Sequence, residues 1–233
     1  MVKVIPWQVA TVVGTTDETA RARTFHLAVP GRAPHRAGQH YVVRLTAPDG
    51  YVASRSYSIA SPPDDGDRLD VTVERLDDGE VSTFLHDEVV VGDELEIRGP
   101  IGGWFVWEGD IPALLIGGGS GVVPLMAMLR LARRTGRSDL LRLVVSVRTR
   151  ADLYYADEIA GPETTVAYTR AEPPDAARPV GRLRADDLAP RLRDDMTVYV
   201  CGSAGFADTA GDLCLALGVP AERIRVERFG PTG

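Results

Sequence analysis

The sequence predicts two domains, an antiparallel β-barrel followed by an α/β domain built on a parallel sheet. The main observation is a change in hydrophobic period near residue 110. Before it, short runs alternate apolar and polar residues, as strands with one buried face do. After it, continuous apolar runs alternate with amphipathic segments, which is typical of buried parallel strands joined by helices. We expect the barrel to span residues 1–108 and the α/β domain to span residues 109–233.

The barrel strands follow from six alternating runs that are separated by turn residues. Pro48-Asp49-Gly50 and Asp77-Asp78-Gly79 are turn sequences of this kind. The runs are residues 8–13, 24–29, 40–45, 51–59, 69–76 and 94–97. One short helix, at residues 81–89, interrupts them. Short strands in this number, joined by tight turns, predict an antiparallel barrel or sandwich.

The second half alternates predicted strands with predicted helices. The strands are residues 113–116, 142–147, 165–168, 197–200 and 224–227. The helices are residues 124–134, 152–159, 185–192 and 206–217. Because each apolar strand is followed by an amphipathic helix, we expect right-handed crossovers and a parallel sheet.

Composition excludes several classes of protein. The 233 residues are 44% hydrophobic, which is enough for one large or two modest cores. A net charge of −7, without a stripe of lysine and arginine, argues against nucleic acid or a membrane as partner. The segment at Met1 lacks the apolar run of a signal peptide, so we expect a cytoplasmic protein. Cys201 and Cys214 have no Cys-x-x-Cys spacing and the histidines are scattered, so we expect no metal site.

The segment Arg55-Ser56-Tyr57-Ser58 ends the fourth alternating run. An arginine, a ring and a hydroxyl at alternate positions of a pleated strand can face one ligand. They offer a charge for phosphate, a flat surface for stacking and a short polar group, a combination that suits a flavin nucleotide. A half-solvated edge strand is the alternative, and the rest of the chain decides between the two.

A glycine-rich segment, Gly117-Gly118-Gly119-Ser120-Gly121-Val122-Val123-Pro124, follows an apolar run and precedes a predicted helix. Glycines let the backbone approach a pyrophosphate, and the free amides at the helix start favour its charge. No Gly-Lys-Ser/Thr follows, so the segment is not a Walker loop, and its valines depart from G-x-G-x-x-G. A tight turn without a ligand is the alternative.

These motifs resemble those of the ferredoxin-NADP reductase family, in the same order and along nearly the whole chain. R-S-Y-S-I-A-S resembles the family's flavin-binding motif, and G-G-G-S-G-V-V-P resembles its G-G-G-T-G-x-x-P, with Ser120 for threonine. Y-V-C-G-S at residues 199–203 resembles Y-x-C-G-P, with Ser203 replacing the proline that would stiffen the turn. The resemblance implies a flavin-binding barrel followed by an NAD(P)-binding α/β domain.

The resemblance also implies roles for residues on the flavin side. Arg55 would contact the flavin phosphates, Tyr57 would pack on the isoalloxazine, and Ser58 would lie near flavin N5. The helix start at residues 79–83 would hold the pyrophosphate, although a Ser-Thr pair there is also a good N-cap. The further flavin contacts expected are Val73, Gly79, Val81, Ser82 and Thr83.

On the nicotinamide side, Cys201 would shape the pocket, and Glu227 would bring an acid to the flavin. Phe229 would cover the flavin face opposite Tyr57. The expected catalytic set is Ser58, Tyr57, Cys201, Glu227 and Phe229. The expected nucleotide contacts are Gly118, Gly119, Ser120, Gly121, Pro124, Arg148, Thr169, Arg170, Cys201 and Gly202.

The implied activity is hydride transfer from NADPH to FAD, followed by electron transfer to a separate acceptor protein such as a ferredoxin, an oxygenase or a metalloenzyme component. Thr169 beside Arg170 favours NADPH over NADH, because a 2′-phosphate needs hydroxyl or cationic partners. FMN is the alternative to FAD. Relatives with an iron-sulfur domain continue from such a segment into a cysteine-rich stretch, which does not follow Phe229 here, so we expect no [2Fe–2S] domain. We also expect a monomer.

Two other functions share most of these motifs. A reductase of free flavin would turn over rapidly with added riboflavin or FMN as the sole acceptor. A nucleotide-binding adaptor without turnover would be colourless, or would not bleach with NADH or NADPH.

Overall fold

Two sheets organise the protein in a computed structural model that describes residues 5–64, 66–171 and 178–230. The first sheet has six antiparallel strands, and the second has five parallel strands. Helices α1 to α4 accompany them. The predicted fold class, an antiparallel barrel followed by an α/β domain, is confirmed.

The antiparallel sheet has the strand order β4-β3-β6-β1-β2-β5. Its strands are β1 (Gln8–Thr19), β2 (Ala22–Ala28), β3 (His40–Thr46), β4 (Val52–Ser58), β5 (Arg68–Glu74) and β6 (Glu94–Ile101). Helix α1 (Glu80–Asp87) lies between β5 and β6 in the chain. An isolated bridge between Ile59, just after β4, and Val71, in the middle of β5, joins the two outer strands, so the sheet curls towards a barrel around a core that includes Phe25 and Leu27.

The parallel sheet has the strand order β11-β10-β7-β8-β9. Its strands are β7 (Ala113–Gly118), β8 (Leu141–Val147), β9 (Thr164–Tyr168), β10 (Thr197–Ser203) and β11 (Ile224–Phe229). The helices are α2 (Val122–Arg134), α3 (Ala185–Leu188) and α4 (Ala204–Ala216). From β7 the chain adds β8 and β9 on one side of the sheet and then β10 and β11 on the other side. The order in which strands are added therefore reverses beside β7. Ligands of such sheets bind beyond the carboxyl ends of the strands at this switch point.

The helix predicted for residues 152–159 is wrong. The chain forms a short 3-10 helix at Arg150–Asp152 and then a series of turns. Tyr155 has a φ of 54°, in the left-handed region, which an α-helix cannot contain. Tyr154 and Tyr155 are both buried. The amphipathic pattern was therefore that of a packed turn whose aromatic side chains point into the molecule.

The helix predicted for residues 185–192 is shorter than expected. Helix α3 ends at Leu188 and a 3-10 turn, Ala189–Arg191, follows it. Pro190 has no N–H to continue the α-helical hydrogen bonds, which explains the early end.

A closed ring of hydrogen bonds joins the two sheets. The Tyr155 N–H donates to Glu18 Oε2 at 3.0 Å, and the Thr24 hydroxyl donates to Glu18 Oε1 at 2.6 Å. Thr24 and Thr72 share a hydrogen bond of 2.8 Å, and Thr72 and the Tyr155 hydroxyl share one of 2.6 Å. Burial raises the pKa of Tyr155. Both polar ends of one tyrosine are thus satisfied by barrel residues.

Apolar packing joins the same two parts. Phe105 and Trp107, which follow β6, share one core cluster with Leu115 and Tyr199 of the parallel sheet. The Tyr199 hydroxyl donates to the Val106 carbonyl at 2.8 Å. The boundary expected between residues 108 and 109 lies in the connection from β6 to β7. The core cluster contains residues from both sides of this boundary.

Candidate functional site

Strand β4 carries the residues expected to bind a flavin, and its pleat divides them between two faces. Tyr57 lies opposite Tyr41, and Ser58 lies opposite His40 on β3. Because neighbouring side chains of a strand alternate, Arg55 and Tyr57 share one face and Ser58 lies on the other. The three residues therefore do not all occupy alternate positions, but that they contact one ligand stays a prediction. Ser58 can border the same ligand only because β4 ends there.

The Arg55 guanidinium lies free to meet an anion. Arg55 is exposed, and its Nη1 donates only to the neighbouring Ser54 carbonyl, at 2.7 Å. Within residues 5–64, 66–171 and 178–230, no carboxylate lies within ion-pair distance of it. Tyr57, two residues along, is half-buried against the barrel core, and burial raises its pKa. This face of β4 thus presents the positive charge of Arg55, which no carboxylate neutralises, beside the Tyr57 ring, which packs against the barrel core.

At the start of α1, the side-chain hydroxyl groups form hydrogen bonds with the backbone of the preceding turn. The Ser82 hydroxyl donates to the Gly79 carbonyl at 3.1 Å and accepts from the Leu76 N–H at 3.2 Å. The Thr83 hydroxyl donates to the Leu76 carbonyl at 3.1 Å. A Cβ on Gly79 would overlap Ser82 Oγ, so glycine is required for this turn. These hydroxyls shape the turn, and the contacts it offers a phosphate are mainly its backbone amides.

Two residues expected to contact the flavin have side chains inside the barrel. Val73 and Val81 are completely buried in its core. The Val73 carbonyl accepts a hydrogen bond from His86 Nε2 at 2.9 Å. A flavin contact through either valine side chain is incompatible with this packing.

The glycine turn between β7 and α2 fits closely against the end of β10. A Cβ on Gly121 would overlap the Cys201 carbonyl, and a Cβ on Gly118 would lie 2.6 Å from the Phe206 ring. Gly119 has a φ of 55°. These positions require glycine. Because glycine has no side chain, the backbone N–H groups of the turn are not covered at the start of the 13-residue helix α2.

Three further residues that were expected to contact the nucleotide, Gly202, Ser120 and Pro124, expose little or no side chain around this turn. A Cβ on Gly202 would lie 2.6 Å from the Phe206 ring. Ser120 is half-buried, and Pro124 is buried in the first turn of α2. Pro124 therefore fixes the start of the helix and does not present a surface to a nucleotide.

Cys201 and Glu227 lie side by side on β10 and β11. Burial raises the pKa of the Cys201 thiol well above its usual value, and the nearby Glu227 carboxyl adds to the shift. Burial raises the pKa of Glu227 to about 7. Phe229, two residues further along β11, is half-buried and packs against the shared core cluster. A partly protonated acid thus lies beside a neutral thiol at the end of the sheet.

A basic rim lies at the carboxyl ends of β8 and β9. The Thr169 N–H donates to the Val147 carbonyl at 2.8 Å, and the Arg170 N–H donates to the Arg148 carbonyl at 2.9 Å. Arg148 and Arg170 are exposed, while Thr169 is half-buried. Thr169 and Arg170, which are expected to favour a 2′-phosphate, therefore lie next to Arg148, another expected nucleotide contact.

His40 lies beside the predicted site residue Ser58, and the sequence analysis did not single it out. It lies between Ser58 on β4 and Ile101 on β6, and burial lowers its pKa. The turn Pro48-Asp49-Gly50 contained the necessary signal, because residues equally far from Asp49 lie opposite one another in this hairpin. His40 places a titratable ring beside the Ser58 hydroxyl.

Two further properties bear on chemistry. Across the described part of the chain, no group of three or more histidine, cysteine, aspartate or glutamate side chains is arranged to hold a metal ion. None of the helices described above has the length and apolar character needed to span a bilayer.

Comparison with known protein families assigns both halves of the chain. Residues 10–106 match the family described as the oxidoreductase FAD-binding domain, and residues 115–212 match the oxidoreductase NAD-binding domain. The chain is 36% identical to a flavohemoprotein of Pseudomonas putida, over 94% of this chain and 58% of that protein. It is 30% identical to the ferredoxin reductase component of 3-ketosteroid-9-alpha-monooxygenase of Rhodococcus rhodochrous, over 95% of this chain and 64% of that protein.

Solved structures agree with these matches. The FAD/NAD-binding domain of nitric oxide dioxygenase from Vibrio cholerae superimposes with a TM-score of 0.85 at 26% identity, over 96% of this chain and 99% of that domain. The chain spans between half and two thirds of the length of the curated relatives cited above. Motifs, topology and relatives agree, and the chain belongs to the ferredoxin-NADP reductase-like family of FAD- and NAD-binding oxidoreductases.

Proposed function

We propose that the chain takes hydride from NADPH onto FAD and passes the electrons to a separate acceptor protein. The observation that carries the proposal is that the β4 strand end packs against α2, the helix that the glycine turn begins. Arg130 of α2 donates a hydrogen bond of 2.9 Å to the Ala60 carbonyl, two residues beyond Ser58. A flavin on β4 and a pyrophosphate at the glycine turn would therefore bind to adjoining walls.

The residues present fit a flavin nucleotide. Arg55 offers an unneutralised charge to the phosphates, and Tyr57 offers a half-buried ring to the isoalloxazine. The bound flavin would supply the chemistry, accepting two electrons as hydride and releasing them one at a time. Ser58 would hold a hydrogen bond at the flavin edge. Glu227, with a pKa of about 7, would hold or release a proton beside it.

The nicotinamide nucleotide would lie along the carboxyl ends of the parallel strands. The bare amides of the glycine turn would bind its pyrophosphate, and the helix start would favour that charge. Cys201, buried and neutral, would shape the nicotinamide pocket without acting as a nucleophile. Arg148, Thr169 and Arg170 would bind a 2′-phosphate, which is why NADPH is preferred to NADH in this proposal.

The relatives support a separate electron acceptor. The match in Rhodococcus jostii is the reductase component of propane 2-monooxygenase, 30% identical over 75% of this chain. A reductase component passes electrons to another component of its system, and we infer the same for this chain. Rapid turnover with free riboflavin as the sole acceptor would instead indicate a flavin reductase.

The visible spectrum of the purified protein, before and after anaerobic addition of NADPH, tests the proposal. We expect a flavin spectrum that bleaches with NADPH, and FAD as the released flavin. Arg55→Ala should lose flavin during purification, because a charged contact to phosphate contributes about 1.5–3 kcal/mol. Arg68→Ala, at an exposed arginine of β5, serves as the control and should retain flavin. Colourless parent protein that does not bind added FAD would refute the proposal.

A further inference from the structure

A surface cavity lies where two connections of the barrel meet the end of α2. Its volume is about 360 Å³. The residues that line it are Pro34 and His35 between β2 and β3, Pro63 and Asp64 between β4 and β5, and Arg134. Arg134 is the last residue of α2, and the glycine turn precedes the first. The length of a 13-residue helix, about 20 Å, therefore separates the cavity from the glycine turn.

A buried arginine lies directly behind the cavity wall. The Arg32 side chain is 1% exposed, and its Nη1 donates to His35 Nδ1 at 3.0 Å. Its Nη2 donates to the Asp64 carbonyl at 3.2 Å and also to Oδ1 of the same residue. Arg32 Nε is buried and has no hydrogen-bond partner among the described residues. A buried donor of this kind indicates a ligand or an ordered water close by.

The cavity carries more positive than negative charge. Arg134 is exposed, and in the described part of the chain no carboxylate lies within ion-pair distance of it. Arg32 and Arg134 thus face a single acid, Asp64. Burial is the largest cause that lowers the His35 pKa, and the charges of Arg32 and Arg134 lower it further, so both guanidinium groups lie near the ring. In a protein whose net charge is −7, such a cavity is a local attractor of anions.

We propose that this cavity binds a small organic phosphate, a phosphate monoester with a compact apolar part. The guanidinium of Arg134 matches the oxygens of a phosphate, and Arg32 adds a second positive charge from behind the wall. Two such charges suit a phosphate monoester, which carries about two negative charges near pH 7, better than a carboxylate. The cavity has the size of small-molecule sites and exceeds the needs of phosphate alone, so the apolar part would lie against Pro34 and Pro63.

A ligand in this cavity would contact both domains. Arg134 belongs to the α/β domain, whereas the other lining residues belong to the barrel. His35 Nε2 donates to the Ser61 carbonyl at 3.2 Å, three residues beyond Ser58. The ligand would therefore stabilise the domain contact and lie one hydrogen bond away from the end of β4. The site is additional to those proposed for the flavin and for the nicotinamide nucleotide.

Calorimetric titration of the purified protein with phenyl phosphate tests the proposal, with chloride keeping the ionic strength constant. Phenyl phosphate should bind saturably and at least about threefold more tightly than inorganic phosphate, because its ring adds apolar contact. It should also bind at least about threefold more tightly than benzoate, which carries a single charge. Benzoate that binds as tightly as phenyl phosphate would contradict the preference for phosphate.

Two substitutions should change the affinity in opposite directions. Arg134→Gln should weaken phenyl phosphate binding at least about tenfold, as expected for a lost charge-assisted hydrogen bond. Asp64→Asn should strengthen it at least about twofold, because the single negative charge of the wall is removed. Arg134→Lys keeps the charge without the planar fork, so its loss of affinity should be smaller than that of Arg134→Gln.

Arg137→Gln is the matched control, because Arg137 is exposed shortly after α2 and does not line the cavity. It should keep the parental affinity. No saturable binding of phenyl phosphate up to about 10 mM, or equal affinities in the parent and Arg134→Gln, would overturn the proposal. Thermal unfolding of each variant checks that it is folded, and the exposed position 134 keeps the test decisive if Asp64→Asn is not. Colourless protein that binds phenyl phosphate in this way would refute the proposed function and leave this site standing.

Discussion

Replacing Glu227 by glutamine should change how the stability of the protein depends on pH. Burial raises the pKa of this carboxyl from 4.5 to about 7. In that range the folded protein binds more protons than the unfolded chain, so the free energy of unfolding falls as pH rises from about 4.5 to about 7. Each pKa unit corresponds to about 1.36 kcal/mol, so the full shift corresponds to about 3 kcal/mol. Partial exposure of the side chain reduces the expected effect to about 2 kcal/mol.

Urea unfolding of the parent and of Glu227→Gln at pH 5 and pH 8, each with and without bound flavin, measures this effect. Glutamine stays neutral, so the variant should be more stable than the parent by about 2 kcal/mol at pH 8 and nearly equal to it at pH 5. Glu222→Gln, at an exposed glutamate just before β11, should show no such difference. A stability difference between parent and Glu227→Gln that is the same at both pH values would refute the reasoning.

Three further predictions concern the domain contact, a buried histidine and the nucleotide. Tyr155→Phe should destabilise the protein by about 1 kcal/mol in urea unfolding, because the buried hydrogen bond to Thr72 is lost while Thr72 keeps its bond to Thr24; an unchanged midpoint would contradict this. His35 Nδ1 accepts from Arg32 at 3.0 Å and burial lowers the His35 pKa, so the parent should lose more stability than His35→Gln as pH falls below about 6.5; parallel pH profiles would contradict this. Thr169→Asp should raise the KM for NADPH at least about tenfold more than that for NADH, and a parent that already prefers NADH would refute the NADPH assignment.

The strands of the barrel and of the parallel sheet could be predicted because burial on one or both faces imposes a period on the sequence. All eleven predicted strands are present, with ends that differ by a few residues. The largest difference is β1, which continues to Thr19, six residues beyond its predicted end. Its second part, around Thr15, is exposed and polar, so burial leaves no pattern there.

The helix predicted for residues 152–159 failed for a physical reason that local sequence cannot show. Tyr155 adopts a left-handed conformation in order to satisfy Glu18 and Thr72, which lie far away in the chain. Tertiary contacts of this kind override local periodicity. The arrangement of β4 shows the opposite case, since the alternation of Arg55, Tyr57 and Ser58 could have been read from the sequence alone.

Some of the expected site residues could likewise be placed from the sequence, and others could not. The glycines of the turn after β7 could be located by their spacing, because backbone that must touch backbone leaves few choices of residue. The burial of the Val73 and Val81 side chains could not be predicted, since a motif fixes the position of a residue but not the direction of its side chain. His40 could have been placed opposite Ser58 from the symmetry of the hairpin about Asp49, a signal that the sequence analysis did not use.

The ring of hydrogen bonds through Tyr155 limits how far the two domains can move apart. Domains that are joined by buried hydrogen bonds cannot separate by a hinge motion unless those bonds break. Breaking the bond between Tyr155 and Thr72 would leave the buried Tyr155 hydroxyl without a partner, at a cost of about 1–3 kcal/mol. We therefore expect the barrel and the α/β domain to keep nearly the same relative position with and without a bound nucleotide.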